Sequence, residues 1–185
     1  MASLNPIPRF IDECFNYVSD RYGGEVVLKQ KRAVLVFEST ANGYHHFRIR
    51  PLIGIDMPMH LEEEPDNMYD ENAILIRIPS ESFFSELDKK RKTKEGQCVG
   101  EVLNKVVGRL PKNVAAVVKA GVESEDITHS FAFYTGDLIH GGQREGGGVK
   151  LRCIFILLVR HVSVQNLKRR LENIGLDVAS IYATQ

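Results

Sequence analysis

The chain has 185 residues, of which 43% are hydrophobic and 26% charged, with 24 basic and 24 acidic side chains. That length and composition suit one globular domain able to bury its own core, with room for helical additions. A net charge of zero excludes a chain that acts as a whole as a polyelectrolyte ligand for nucleic acid or anionic membrane, so any such binding must come from a local patch.

Residues 6–22 read as a helix. Phe10, Ile11, Cys14, Phe15 and Val18 recur at helical steps, and Gly23-Gly24 ends the run. Pro6, Pro8, Arg9, Asp12 and Glu13 interrupt any continuous apolar stretch, which excludes a usual signal peptide. Two apolar runs, 26–28 and 33–37, predict two strands or one long strand with a polar interruption at 29–32, and Ser39-Thr40-Ala41-Asn42-Gly43 predicts a turn. In the next strand, 44–51, alternation places Tyr44, His46, Arg48 and Arg50 on one face and Phe47 and Ile49 on the other. The first set interleaves cations that neutralise phosphate with an aromatic face that stacks on bases. It serves equally as an ordinary solvent-facing side. His45 and His46 point to opposite faces of a strand and do not make a metal pair.

A loop and strand over 52–61 lead into Glu62-Glu63-Glu64, which would repel phosphate on any shared face. Residues 64–72 are a turn of Pro, Asn and Asp that runs straight into the apolar strand 73–78. Asn and Asp hydrogen-bond their own backbone, so this loop has a defined shape, and Tyr69 and Asp70 sit at the mouth of a strand. A purely structural turn uses the same chemistry.

Residues 79–88 predict a short helix carrying Phe83, Phe84 and Leu87. The run 89–94 holds five cations in six residues and reads as a solvated loop, a phosphate-attracting lip or a nuclear address. A strand over 97–103, a turn over 106–111 and a helix over 112–121 follow. The first turn of that helix, with Arg109 and Lys112, makes a plausible phosphate cradle. Residues 127–134 alternate as a strand. Gly141-Gly142 and Gly146-Gly147-Gly148 bracket a hairpin loop, and 149–159 is the most hydrophobic strand, expected at the centre. Its apolar core, 153–159, is too short to span a bilayer. The last helix, 163–175, has Ser163 as cap, Val164, Leu167, Leu171 and Ile174 as stripe and Gly175 as stop, followed by a loosely held tail.

The three cysteines, Cys14, Cys98 and Cys153, form no Cys-x-x-Cys and fit a reducing compartment, so the expected location is intracellular, nuclear or cytoplasmic. No Walker, Rossmann, Gly-x-Ser-x-Gly or His-Glu-x-x-His pattern is present. No nucleophile stands beside a base, and no metal or cofactor is expected.

The order of motifs resembles the HIRAN family. The landmarks are Gly43-Tyr44-His45, Glu64-Pro65-Asp66-Asn67-Met68-Tyr69-Asp70-Glu71-Asn72-Ala73-Ile74, Val107-Gly108-Arg109-Leu110-Pro111-Lys112, and the Gly-rich loop leading into Val149-Lys150-Leu151-Arg152-Cys153. The long first signature is specific, and the second sits at a compatible distance. The resemblance is to stand-alone HIRAN proteins without helicase or nuclease domains. It implies a mainly β fold: a small OB-like or SH3-like β-barrel over 33–160 with a short inserted helix. Residues 1–32 would be an accessory helix and leading strand, and 161–185 a C-terminal helix and tail, α+β overall. It further implies DNA binding without catalysis, favouring single strands or DNA ends. Asp70 would accept a hydrogen bond from a terminal sugar hydroxyl, Tyr69 would lie along the sugar or base, Arg109 and Lys112 would meet phosphate, and Tyr134 would stack a base. The chain departs from DNA-binding members upstream of the signature, where Phe47-Arg48-Ile49-Arg50 replaces an Arg-aromatic-aromatic run. That departure leaves a second expectation, a protein-interaction domain that keeps the barrel without DNA binding. The partner is thus single-stranded nucleic acid, DNA favoured, or a protein; a membrane partner is not expected.

Overall fold

The computed structural model describes residues 32–43, 47, 52–140 and 148–182. The helix expected over 6–22, the strand over 26–28, most of the 44–51 strand and the Gly-rich loop 141–147 lie outside the described residues. Among the described residues, seven strands form one antiparallel sheet: β1 (Arg32–Ala41), β2 (Met57–Glu63), β3 (Ile74–Arg77), β4 (Val106–Arg109), β5 (Ile127–His140), β6 (Val149–Arg160) and β7 (Val178–Tyr182). Their order is β4-β3-β2-β5-β6-β1-β7. Three helices accompany them: α1 (Glu86–Lys89), α2 (Lys112–Glu123) and α3 (Val164–Asn173).

Residues 33–37 of β1 and 153–159 of β6 are apolar at every position because both faces of these stretches are buried. Ala33, Leu35 and Phe37 join Leu151, Cys153, Phe155, Leu157 and Val159 in the main core, where the Phe37 and Phe155 rings stack at 5.5 Å. The alternate residues Val34, Val36, Ile154, Ile156 and Leu158 form a second apolar cluster with Phe131 on the other face. Total burial of the Cys153 thiol pushes its pKa up to about 12, so it packs as a small hydrophobe.

Helix α2 buries Val114, Ala115, Val117, Val118 and Gly121, and α3 buries Val164, Leu167 and Leu171, all into the main core. The three valines that α2 buries are weak helix formers, so that helix owes its stability to packing rather than to propensity.

The sheet does not close into a barrel. Closure would need β4 to pair with β7 or with the part of β1 beyond it. Among the described residues, β6 takes one edge of β1 along its whole length, β7 takes the other over 33–37, and no ladder joins β4 to either strand. Asn42, just past β1, bonds to β4, exchanging two 2.8 Å backbone hydrogen bonds with Arg109. Gly108 permits this approach, since a Cβ there would lie 2.8 Å from the Asn42 carbonyl oxygen and 3.1 Å from the Ala41 Cβ.

Several local expectations change. The tail expected to be loose is a strand over 178–182: β7 pairs antiparallel with β1, and Val178 enters the main core. Residues 97–103 hold a 3₁₀ turn, Val99–Glu101, in place of a strand. The 79–88 segment splits into a 3₁₀ turn, Glu81–Phe83, and α1, whose start is closed by reciprocal Ser85 and Asp88 hydrogen bonds. Residues 106–109 are a strand rather than a turn. Ser163 does not cap α3 with its side chain; its hydroxyl donates to Asp126 instead.

The Asn42–Arg109 contact generates a test. Gly108→Ala should lower stability by roughly 1–3 kcal/mol, because the added methyl meets backbone on the facing side. Urea unfolding reads this directly. An unchanged midpoint would mean that the end of β1 moves aside freely.

Candidate functional site

The turn between β2 and β3 is built around one side chain, Asn67. Its Oδ1 accepts from the backbone N–H of Tyr69 at 2.9 Å and of Asp70 at 3.0 Å, and its Nδ2 donates to Glu64 Oε2 at 2.9 Å. Asp70 repeats the device one step on, with Oδ1 accepting from the Asn72 N–H at 3.0 Å and its carbonyl accepting from Ala73. Two successive Asx hydrogen-bond sets leave this backbone little freedom. At the tip, Met68 and Tyr69 are each 92% exposed.

Glu64 anchors the base of the loop. Arg109 grips it with both ends of the guanidinium, Nε to Oε2 and Nη2 to Oε1, each at 2.7 Å. The planar fork matches the carboxylate, which is the strong form of this pair. Hydrogen bonding to Arg109 holds the Glu64 carboxyl at about 2, from an ordinary 4.5; partial burial opposes this, and the Asn67 amide and the Arg109 charge reinforce it. The same hydrogen bonds raise the Arg109 pKa. The guanidinium also lies 5.2 Å from the centre of the Phe47 ring, a cation–π contact. On the far side of the loop, Lys119 of α2 donates from Nζ to the Glu71 carbonyl.

The structure therefore joins Tyr69, Asp70 and Arg109 into one unit. Lys112 follows at the exposed start of α2, three residues past Arg109. Tyr134 is not part of it: the residue is fully buried in the main core and cannot stack on a ligand there. Tyr44, Arg48 and Arg50 lie outside the described residues. The acidic triplet is largely neutralised, since Glu62 pairs with Arg77 at 2.7 Å and Glu64 with Arg109. The basic run is also ordered by partners. Lys89 pairs with Glu81 and Glu86, and Arg91 with Asp56 at 2.6 Å, while Lys90, Lys92 and Lys94 are exposed.

Sequence reasoning missed Glu64, Phe47 and Lys119. Glu64 and Arg109 are 45 residues apart, and nothing local links them. Lys119 had a weak signal, since it lies seven residues after Lys112 and so shares its helix face. Two surface hollows, of about 550 Å³ at Val122, Ile127 and Arg160 and about 220 Å³ at Pro58, Phe83, Phe84 and Phe133, include none of the loop residues. The candidate site is a projecting loop rather than a cleft. Among the described residues no cluster of His, Cys, Asp and Glu side chains is arranged to hold a metal ion, and no helix is long and apolar enough to cross a membrane.

No family model matches the chain, and no curated protein matches it either. Among solved structures, the crystal structure of the HIRAN domain of human HLTF aligns at TM-score 0.50 with 13% identity, covering 80% of this chain and 97% of that one. The NMR structure of the HLTF HIRAN domain aligns at TM-score 0.44 with 15% identity, covering 78% and 93%. The fold of this chain is that of a HIRAN domain, an open antiparallel sheet with few helices.

The Glu64 clamp has a pH signature. Its depressed pKa makes a stabilising contribution that is complete above pH 4.5, declines as pH falls below that value and is lost below about 2. Glu64 and Arg109 are 24% and 36% exposed, so solvent screens the pair. Glu64→Gln should thus cost about 1–2 kcal/mol at neutral pH. Urea unfolding of both proteins at pH 7, 4.5 and 3 should show the gap narrowing only at the last. A gap that persists undiminished at pH 3 would rule out the carboxylate as the clamp.

Proposed function

We propose that this chain is a non-catalytic nucleic-acid-binding module that takes single-stranded DNA or DNA ends on the Tyr69–Asp70 loop. The observation that carries the reading is the pairing of an almost fully exposed Tyr69 with a backbone that Asn67 and Glu64 hold in place. An aromatic ring on a rigid support stacks on any base, at roughly 1–3 kcal/mol per base, and the ordering cost is already met. Asp70 uses Oδ1 internally, and Oδ2 would accept a sugar hydroxyl. Lys112, at the start of a twelve-residue helix, supplies charge at the positive end of the helix dipole, where Asn113 Oδ1 already accepts the Val114 N–H. The HIRAN fold and the family signature at 64–74 support the same assignment.

A second reading, a protein-interaction domain without DNA binding, draws on a specific pair of observations. Arg109 is engaged by Glu64, and Tyr134 is core, so two expected ligand contacts are already committed. Met68 beside Tyr69 then makes an apolar tip of the kind that enters a partner's pocket.

Fluorescence anisotropy with short single strands bearing free or blocked 3′ ends separates the two. At low salt the wild-type chain should bind. Tyr69→Ala or Asp70→Ala should weaken binding about tenfold or more, the loss of one stacked base or one charged hydrogen bond. Lys112→Ala should weaken all strands alike and reduce the salt slope by about 0.7–1. No wild-type binding at low salt, or an Asp70→Ala variant that binds like wild type, would overturn the proposal. A nuclease-resistant protein pull-down would then favour the second reading.

A further inference from the structure

The sheet has two apolar faces, and the described helices account for only one. Both α2 and α3 direct their buried side chains into the main core. On the opposite face, Val34, Val36, Phe131, Ile154, Ile156 and Leu158 are only 2–8% exposed, with Phe133 and Ile181 packed at the margin. Side chains of β1, β5 and β6 cannot be hidden to that degree by their own strand neighbours, since one face of a sheet is closed only by another layer. Among the described residues no helix supplies that layer.

The rest of the chain offers few candidates for it. Residues 141–147 are Gly-Gly-Gln-Arg-Glu-Gly-Gly and carry no apolar side chain, and 183–185 are Ala-Thr-Gln. Residues 44–46 and 48–51 flank Phe47, which packs on the main core. Residues 1–31 remain. They lead directly into Arg32, the first residue of β1, which itself contributes Val34 and Val36 to the face. They also contain an apolar stripe, Phe10, Ile11, Cys14, Phe15 and Val18, opposite Arg9, Asp12, Glu13 and Asn16. A stripe of two phenylalanines and two branched aliphatics is matched in kind to a patch of Val, Ile, Leu and Phe.

We propose that this second sheet face is the docking site of the chain's own N-terminal segment, with the 10–18 stripe seated across β5, β6 and β1. The segment is then a structural layer, and the face is closed to outside partners while it is docked. Without it the face would be a contiguous apolar patch of the kind that drives association. The inference does not depend on what the Tyr69 loop binds.

The three cysteines make the test direct. Pulse alkylation of the full-length chain, read peptide by peptide by mass spectrometry, should find Cys14 slowed about tenfold or more relative to the urea-unfolded chain, as expected of a thiol that reacts only through local opening. In parallel, Phe10→Ser/Phe15→Ser should bind a hydrophobic dye and self-associate with concentration while keeping its β-sheet circular dichroism. Cys14 alkylation at the unfolded rate in a monomeric wild-type chain would overturn the proposal. So would the same rate in a wild-type chain that sediments as a dimer, which would assign the face to a second copy. A folded double variant with wild-type dye binding and sedimentation would overturn it as well. Should the double variant fail to fold, the wild-type alkylation rate still decides.

Discussion

The bidentate pair of Glu64 and Arg109 spans β3, linking the end of β2 directly to β4, two strands that pair with β3 but not with each other. Glu64 follows the last residue of β2 and receives the Asn67 amide that shapes the loop. Arg109 ends β4, exchanges backbone hydrogen bonds with Asn42 beyond β1, and lies over Phe47. One ion pair thus ties the β2–β3 turn, the edge strand and the far side of the sheet at a single point. In an open sheet this matters more than in a barrel, because no continuous ladder crosses from β1 to β4. The pair is partly exposed, so its value lies less in net stability than in fixing geometry.

Much of the sheet was legible because buried strands advertise themselves. The runs 33–37 and 153–159 are apolar on both faces, a pattern that few other structures produce. The helices over 112–121 and 163–175 showed their stripes and ended near their glycines. The errors have local causes. The residues of β7, Val178-Ala179-Ser180-Ile181-Tyr182, are too few and too mixed to separate from a tail; only pairing with β1 makes them a strand. The 97–103 segment has strand-like residues, yet Val99 and Val102 reach the core from a 3₁₀ turn instead.

Tyr134, which the family resemblance alone offers as a stacking residue, is removed by the parity of β5. Strict alternation from the buried Ile127 would put the even-numbered residues of β5, Tyr134 among them, on the face opposite the main core. A register shift between Ile127 and His129 reverses the parity, so Ala132 and Tyr134 face the main core while Phe131 joins the other face. A bulge of this kind leaves no mark in residue types. The loop, by contrast, was readable in detail, because Asx chemistry is local and Asn67 needs only its next three residues to fold it.

Charge in this region has to be counted by partner, not by residue. The three glutamates before the loop look repulsive toward phosphate, yet two are paired with arginines. The same pairing limits Arg109 as a ligand contact. A phosphate that took its guanidinium would leave a carboxylate held near pKa 2 without its main partner, and would loosen the turn that presents Tyr69. Exchange of one anion for another at that fork therefore gains little and costs the preorganisation of the site. Arg109 is better understood as a positioning residue. Among the described residues, α2 offers two cations toward an anionic ligand, Lys112, exposed at its first turn, and Lys119, already bound to the Glu71 carbonyl. On the proposed reading, specificity would rest on what the rigid tip presents, a ring and a carboxylate, rather than on a field of positive charge.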